Sequence, residues 1–122
     1  CHDLVGVGAI SFAGRGPSRR VTTPYAEPSE DCIGCGACAE VCPTGHISVR
    51  DAGGEREIIP FATKHRLVTC PRCGRGYVTE KQMEFLKHKL GERNAVLAGC
   101  PVCKGRLRAE ELRRVYETVA PL

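Results

Sequence analysis

The apolar residues fall into three differently spaced segments. From residue 1 to about 31, a short apolar stretch (Val5 to Phe12) precedes a basic turn, Gly14-Arg15-Gly16-Pro17-Ser18-Arg19-Arg20. Val21 to Thr23 follows, and apolar runs on either side of a glycine-rich turn predict a β-hairpin. Pro24, Pro28 and Ser29 then mark a loop. From about 32 to 61, Gly36 to Val41 can form one or two helical turns, which Pro43 ends. Ile47 and Val49 alternate with Ser48 and Arg50, Asp51-Ala52-Gly53-Gly54 turns the chain, and Ile58, Ile59 and Phe61 supply a returning strand. From about 66 to 122 the period changes. Thr79 with Gln82 three residues on forms a capping box, and Gly91 is a helix stop. Met83, Leu86 and Leu90 share one face of that helix. Leu112, Val115, Tyr116 and Val119 make a second stripe, closed by Pro121, and both stripes are expected to pack into a core.

Composition says that packing alone cannot hold this chain. It has 122 residues, enough for one ordinary domain or two small ones. Aromatic residues are 5% and Trp is absent, while 14 Gly and 8 Pro imply many turns. So thin a supply of large side chains does not offset the ordering entropy without another staple.

Cysteine supplies it. There are 9, an odd number, and eight fall in tight groups: Cys32, Cys35, Cys38 and Cys42, then Cys70 and Cys73, then Cys100 and Cys103. Two intervening residues suit metal chelation, where several thiolates converge on one centre, better than disulfides. Free thiolates persist in reducing compartments, so a cytoplasmic location is expected, on its own or on the cytoplasmic face of a membrane complex. No secretory signal and no bilayer-spanning apolar run is read, so no transmembrane segment is expected. The start at Cys1 rather than Met reads as a processed or incomplete N-terminus. A lipidated Cys1 is disfavoured, because Val5 to Phe12 reads as folded structure rather than a tether. The formal charge of +4 invites a polyanion partner. A four-thiolate iron–sulfur centre and a four-thiolate zinc centre would each carry about −2, which roughly cancels it.

Cys32-Ile33-Gly34-Cys35-Gly36-Ala37-Cys38-Ala39-Glu40-Val41-Cys42-Pro43 matches the bacterial ferredoxin run C-x₂-C-x₂-C-x₃-C-P. Three closely spaced thiolates wrap a [4Fe–4S] cubane, and the small residues between them let backbone N–H groups approach its sulfides. In two-cluster ferredoxins the fourth cysteine of a run ligates the other cluster. By that rule Cys42 leaves the site of Cys32, Cys35 and Cys38, which then needs a remote thiolate. If the last four cysteines make their own site, arithmetic leaves Cys1. Both Cys1 and Cys42 stay open as the fourth ligand.

Cys1-His2-Asp3-Leu4-Val5-Gly6-Val7-Gly8-Ala9-Ile10-Ser11-Phe12 with Arg15-Gly16, then the 32 to 43 run and Thr44-Gly45, resembles the dicluster 4Fe–4S ferredoxin domain. That family includes the large iron–sulfur subunit of NADH–quinone oxidoreductase, subunits of NAD-reducing hydrogenases, iron-only hydrogenases and some formate dehydrogenase α subunits. The resemblance implies that Cys1 ends a first C-x₂-C-x₂-C-x₃-C run whose other cysteines lie upstream. Cys42 would then serve a second cluster whose remaining ligands precede residue 1. The family's proline after that cysteine is His2 here.

Cys70-Pro71-Arg72-Cys73-Gly74 and Cys100-Pro101-Val102-Cys103-Lys104-Gly105 read as two metal knuckles. Each points two sulfurs at one ion, and together they predict a closed Cys₄ site for structural zinc. Mononuclear iron, as in rubredoxin, is the rival, and the capped helix between the pairs favours zinc. A ferredoxin domain with such a tail also resembles the iron–sulfur subunit of formate hydrogenlyase, which implies electron passage between a dehydrogenase and a hydrogenase or quinone module. His46 reads as a surface or peripheral residue and His2 as a weak competitor of Cys1. His65 and His88 read as solvated. No Ser/His/Asp arrangement or phosphate loop is found, and Gly6 with Gly8 is no dinucleotide fingerprint.

The expected architecture is α+β. A ferredoxin-like domain over 1–65, with hairpins and short helices around the cluster, precedes a zinc-ribbon-like module with helices over 66–122. The expected role is electron transfer within a multi-subunit oxidoreductase of hydrogenase, formate dehydrogenase or NADH dehydrogenase type, with other redox subunits as partners and no catalytic site of its own. Two rivals are weighed. A nucleic-acid-binding zinc ribbon would use Arg72, Arg75, Lys104, Arg106 and Arg108 on phosphates, but it leaves the 32 to 43 run unexplained. A scaffold with a purely structural cluster would be redox-silent.

Overall fold

Short strands punctuated by glycine produce two small antiparallel sheets in the computed structural model, which describes residues 1–91, 93 and 97–119. Strand β1 (Ser11–Ala13) pairs with β2 (Arg20–Thr22), Phe12 facing Val21 across the ribbon. The first strand is shorter than Val5 to Phe12 suggests. Gly6 (φ +80°) and Gly8 (φ +73°) curl the chain instead, and the Gly6 N–H bonds the carbonyls of Cys1 and His2.

The second sheet is a four-stranded meander, β3 (Ser48–Ala52), β4 (Glu55–Ile59), β5 (Thr63–Thr69) and β6 (Gly76–Thr79), in that order. The β3–β4 turn falls on Gly53 and Gly54, where the sequence predicts it. Ser48 pairs with Ile59 and Ala52 with Glu55, so Ile58 stands opposite Val49. Strand β5 runs unbroken through residues 65 and 66, so one sheet spans the middle of the chain.

Among the described residues, three α-helices complete the α+β architecture. Helix α1 (Ala37–Glu40) is a single turn inside the cysteine run. Helix α2 (Glu80–Leu90) begins as its capping residue dictates: the Thr79 hydroxyl accepts a bond from the Gln82 N–H (3.1 Å). Met83, Leu86 and Leu90 are half-buried, as a stripe facing a core should be. Helix α3 (Pro101–Val119) corrects an expectation. Leu112, Val115, Tyr116 and Val119 stand 61, 55, 73 and 76% exposed, so the second stripe is not core. Periodicity records that a helix face is apolar, not that something covers it. The closing residue Pro121 lies outside the described residues.

The core is small and sits against the cysteine run. Ile47, Ile58 and Phe61 form its buried centre, with Ile10, Cys32, Cys38, Ala39 and Cys42 packed against it. The scarcity of aromatic residues thus leaves the sulfur-bearing loop as part of the hydrophobic core. Among the described residues, no helix is long and apolar enough to cross a membrane.

Candidate metal centres

The glycines and alanines of the 32 to 38 run leave backbone where side chains would stand, and a cavity opens beside it. Cys1, Cys32, Cys35 and Cys38 line this cavity together with Ala9, Ile10, Thr23, Ile58 and Phe61. Two sulfurs meet backbone donors: the Ala9 N–H reaches Cys1 Sγ (3.3 Å) and the Gly34 N–H reaches Cys32 Sγ (3.4 Å). Burial pushes the Cys32 and Cys38 thiols up from their ordinary values. Thiols kept protonated by burial lose that penalty when a cationic centre takes the proton's place. The chemistry of the wall, four sulfurs on apolar side chains, fits an iron–sulfur cluster.

Cys42 is placed elsewhere. It packs against the core cluster and does not line the cavity. Its Sγ accepts from the Ile47 N–H (3.5 Å) and lies 3.5 Å from Thr44 Oγ1. Those two donors, Ile47 first, hold its thiol down to about 7. His46 is exposed, and its own N–H bonds Thr44 Oγ1. His2 is exposed and bonds Asp3.

The binding loop is held from outside by contacts at long sequence range. The Thr79 hydroxyl, besides capping α2, donates to the Ile33 carbonyl. Lys81 Nζ donates to the Glu30 carbonyl (2.6 Å), and Arg56, gripped by both oxygens of Asp51 (2.8 Å each), reaches the Gly34 carbonyl (3.5 Å). Gly34 is buried at φ +64°, and a Cβ there would meet His65 Cδ2 at 2.6 Å and Thr79 Cγ2 at 2.9 Å. Only glycine fits. His65 is therefore not solvated, as its basic neighbours suggest, but 8% exposed, with Nε2 buried and unpartnered. Burial, then the charge of Lys81, push its pKa below the ordinary histidine value. Alternation along β5 was the available signal: Thr63 and His65 point inward, Lys64 and Arg66 outward. The backbone clamps by Arg56 and Lys81 carry no sequence signal, because their acceptors are carbonyls far along the chain.

The second cysteine group is built from two tight turns. Between β5 and β6, the Gly74 N–H bonds the Cys70 carbonyl (2.8 Å) and the Cys70 N–H bonds the Arg75 carbonyl (2.9 Å). The other pair sits at the start of α3, with Cys103 in its first turn. The four sulfurs of Cys70, Cys73, Cys100 and Cys103 all lie within 4.8 Å of one another, and Cys73 Sγ is 3.7 Å from Cys100 Sγ. They could hold a metal ion. Backbone N–H groups, that of Cys100 first, bring the Cys70 thiol down to about 6, and the Cys103 N–H lowers Cys100. Hydrogen bonding of its thiol to the sulfurs of Cys100 and then Cys73 drives Cys103 up to about 12. Four thiolates this close need a shared cation to ionise together.

Comparisons with known proteins give the chain a family. A model of the 4Fe–4S dicluster domain matches residues 1–46 and again 31–77. The chain is 32% identical over 84 residues to "Polyferredoxin protein MvhB" of Methanothermus fervidus. That alignment covers 59% of this chain and 19% of the relative, so the chain spans about a fifth of that protein. The chain belongs to the 4Fe–4S dicluster domain family of iron–sulfur proteins.

Proposed function

We propose, from that membership as premise, that this chain relays single electrons between redox subunits of an oxidoreductase through a [4Fe–4S] cluster ligated by Cys1, Cys32, Cys35 and Cys38. The observation that carries the reading is the cavity those four residues line and Cys42 does not. Residue 1 comes to residues 32–38 because the curl at Gly6 and Gly8 and the β1–β2 ribbon fold the chain back on itself. On this reading Cys42 is the ligand this chain lends to a neighbouring cluster whose other thiolates come from outside residues 1–122. Its thiol, brought to about 7 by N–H and hydroxyl donors, is disposed to ionise. The host complex is of hydrogenase, formate dehydrogenase or NADH dehydrogenase type, at a reducing, cytoplasmic location where nine free thiols survive.

The second group holds a single zinc ion as a structural staple. A metal–sulfur bond of about 2.3 Å sets the edge of a thiolate tetrahedron at about 3.8 Å, and the Cys73–Cys100 separation of 3.7 Å agrees with it. In a cubane each thiolate binds a different iron, which stands the sulfurs farther apart. All four ligands are protein sulfurs, the closed set of a structural rather than a catalytic zinc.

Anaerobic reconstitution with iron and sulfide, followed by EPR of the dithionite-reduced protein, tests the relay. One [4Fe–4S]⁺ signal is expected, and its absence would sink the reading. Cys1→Ser should remove most of that signal and Cys42→Ser little of it. Equal losses would give the fourth ligand to Cys42 instead. Metal analysis of protein grown with zinc and iron present should find one zinc per chain, lost in Cys73→Ser.

A further inference from the structure

A redox carrier needs a place where its partner can approach the cluster, and the β1–β2 ribbon has the chemistry of one. From residue 4 to residue 26 the sequence contains no Asp or Glu, but it contains Arg15, Arg19 and Arg20. All three are exposed, and among the described residues none makes an ion pair, whereas Arg50, Arg56 and Arg113 do. Arg19 lies over the ring of Phe12, 4.2 Å from its centroid. Phe12 is 63% exposed and sits directly across the ribbon from Val21, itself exposed. Tyr25 is 96% exposed and held at φ +56°, with Ala26 beside it at φ +59°. Two consecutive non-glycine residues in the left-handed region are uncommon, and such strain persists where surroundings impose it. Here the Ala26 and Glu27 N–H groups bond the carbonyls of Thr23 and Pro24 and pin the ring outward.

Position decides what this patch is for. Phe12 and Tyr25 line a shallow hollow whose floor includes Ile10 and Thr23. Ile10 and Thr23 also line the cavity of Cys1, Cys32, Cys35 and Cys38. One layer of side chains therefore separates the hollow from the proposed cluster. We propose that the ribbon, through Phe12 and Tyr25 together with the basic residues Arg15, Arg19 and Arg20, is the docking surface for an acidic redox protein that exchanges electrons with this cluster. Unpaired arginines steer a negatively charged partner, and the exposed aromatic rings anchor it once it arrives. A single-stranded nucleic acid would also favour arginine and aromatic rings, but it makes no use of a wall shared with the cysteine cavity.

The inference rests on the relay reading, and stopped-flow separates the two. Reconstituted, dithionite-reduced 122-residue chain is mixed with oxidised flavodoxin, an acidic one-electron acceptor. One electron leaves the chain's reduced centre and the flavin gains it as semiquinone. The second-order rate should fall as salt rises. The charge reversal R15E/R19E/R20E should slow it at least about tenfold at low ionic strength, and the gap should close at high salt. Basic cytochrome c as acceptor should show the opposite salt trend and gain from the reversal. Phe12→Ser and Tyr25→Ser should each weaken flavodoxin binding, read by calorimetry without any electron transfer, by roughly tenfold. The EPR signal and reduction potential of these variants should match the parent, which places the effect in docking. No EPR signal in the parent would overturn the relay itself. A normal signal with flavodoxin rates and affinities indifferent to all five residues would overturn the docking surface alone. So would tight, arginine-dependent binding of a single-stranded oligonucleotide that flavodoxin does not displace.

Discussion

The two cysteine groups of this chain solve the same problem in opposite ways. Cys70, Cys73, Cys100 and Cys103 bring four sulfurs within 4.8 Å of each other using two local turns that need to meet once. Cys1, Cys32, Cys35 and Cys38 instead stand around a cavity whose walls come from the N-terminal curl, the cysteine run, β4 and the loop after it. The first site is a knot made by the backbone of the ligands themselves. The second is a hollow kept open by parts that hold no metal: Thr79, Lys81 and Arg56 clamp the loop, and Gly34 lets His65 close against it. A site of local turns resists change anywhere but at its ligands, whereas a hollow held from a distance should respond to substitutions remote from any sulfur. Residues 79 to 81 join the two, because they follow the β5–β6 hairpin that carries Cys70 and Cys73 and reach back to residues 30 to 33.

If the second group holds zinc as proposed, the strongest break is Cys73→Ser or a zinc chelator. Structural zinc contributes roughly 10–16 kcal/mol apparent in comparable peptides, far more than a core of Ile47, Ile58 and Phe61 can replace. Helical circular dichroism from α2 and α3 should fall and thermal melting should lose its cooperativity. If the clamps join the sites as described, the cluster of the same variant should also bleach faster under anaerobic chelator challenge. Unchanged bleaching kinetics would show the two regions to be independent.

Gly34→Ala attacks the hollow and spares the knot. A left-handed backbone alone costs a non-glycine residue about 1–3 kcal/mol, and the new Cβ would stand 2.6 Å from the His65 ring. Iron and sulfide content should drop by half or more with zinc still at one per chain. Equal loss of both metals would mean that the variant had failed to fold, and Gly34→Ser with His65→Ala would then test whether space at the ring restores iron. Thr79→Ala is milder. It removes the α2 cap, worth about 1 kcal/mol, and the bond to the Ile33 carbonyl. Melting should fall by a few degrees, with faster cluster loss than an exposed control such as Thr118→Ala.

Legibility in the sequence follows the same divide. The β3–β4 hairpin, the capping box at Thr79 and the stop at Gly91 were readable because turn and cap chemistry is local. So were the two knuckles. The gathering of Cys1 with Cys32, Cys35 and Cys38 follows from the cysteine count and the resemblance, not from any pattern near residue 1. The clamps were not readable, since a side chain bonding a distant carbonyl leaves no mark on its acceptor. His65 reads as solvated because charged residues flank it, yet in a strand the neighbours of an inward residue point the other way. The stripe of α3 shows the converse: a sequence displays amphipathy but not whether a partner covers it.

The finest test of the hollow is its pH response through His65. Burial and Lys81 hold the folded pKa of this residue below the ordinary 6.5, so the unfolded chain takes up the proton first as the solution is acidified. Where the unfolded state binds more protons, stability rises with pH. The contribution of neutral His65 is therefore fully present above about pH 6.5 and is lost as pH falls below it, down toward the folded value. His65→Leu keeps an apolar ring-sized group against Gly34 and removes the titration, so its stability should be flatter over that window. Urea melts of both proteins, zinc-loaded, at several pH values between about 5.5 and 8 decide the matter. Ligand protonation is common to the two and cancels in their difference. Parallel curves would mean that His65 titrates alike folded and unfolded, and that the packing behind Gly34 is wetter at the imidazole than its burial indicates.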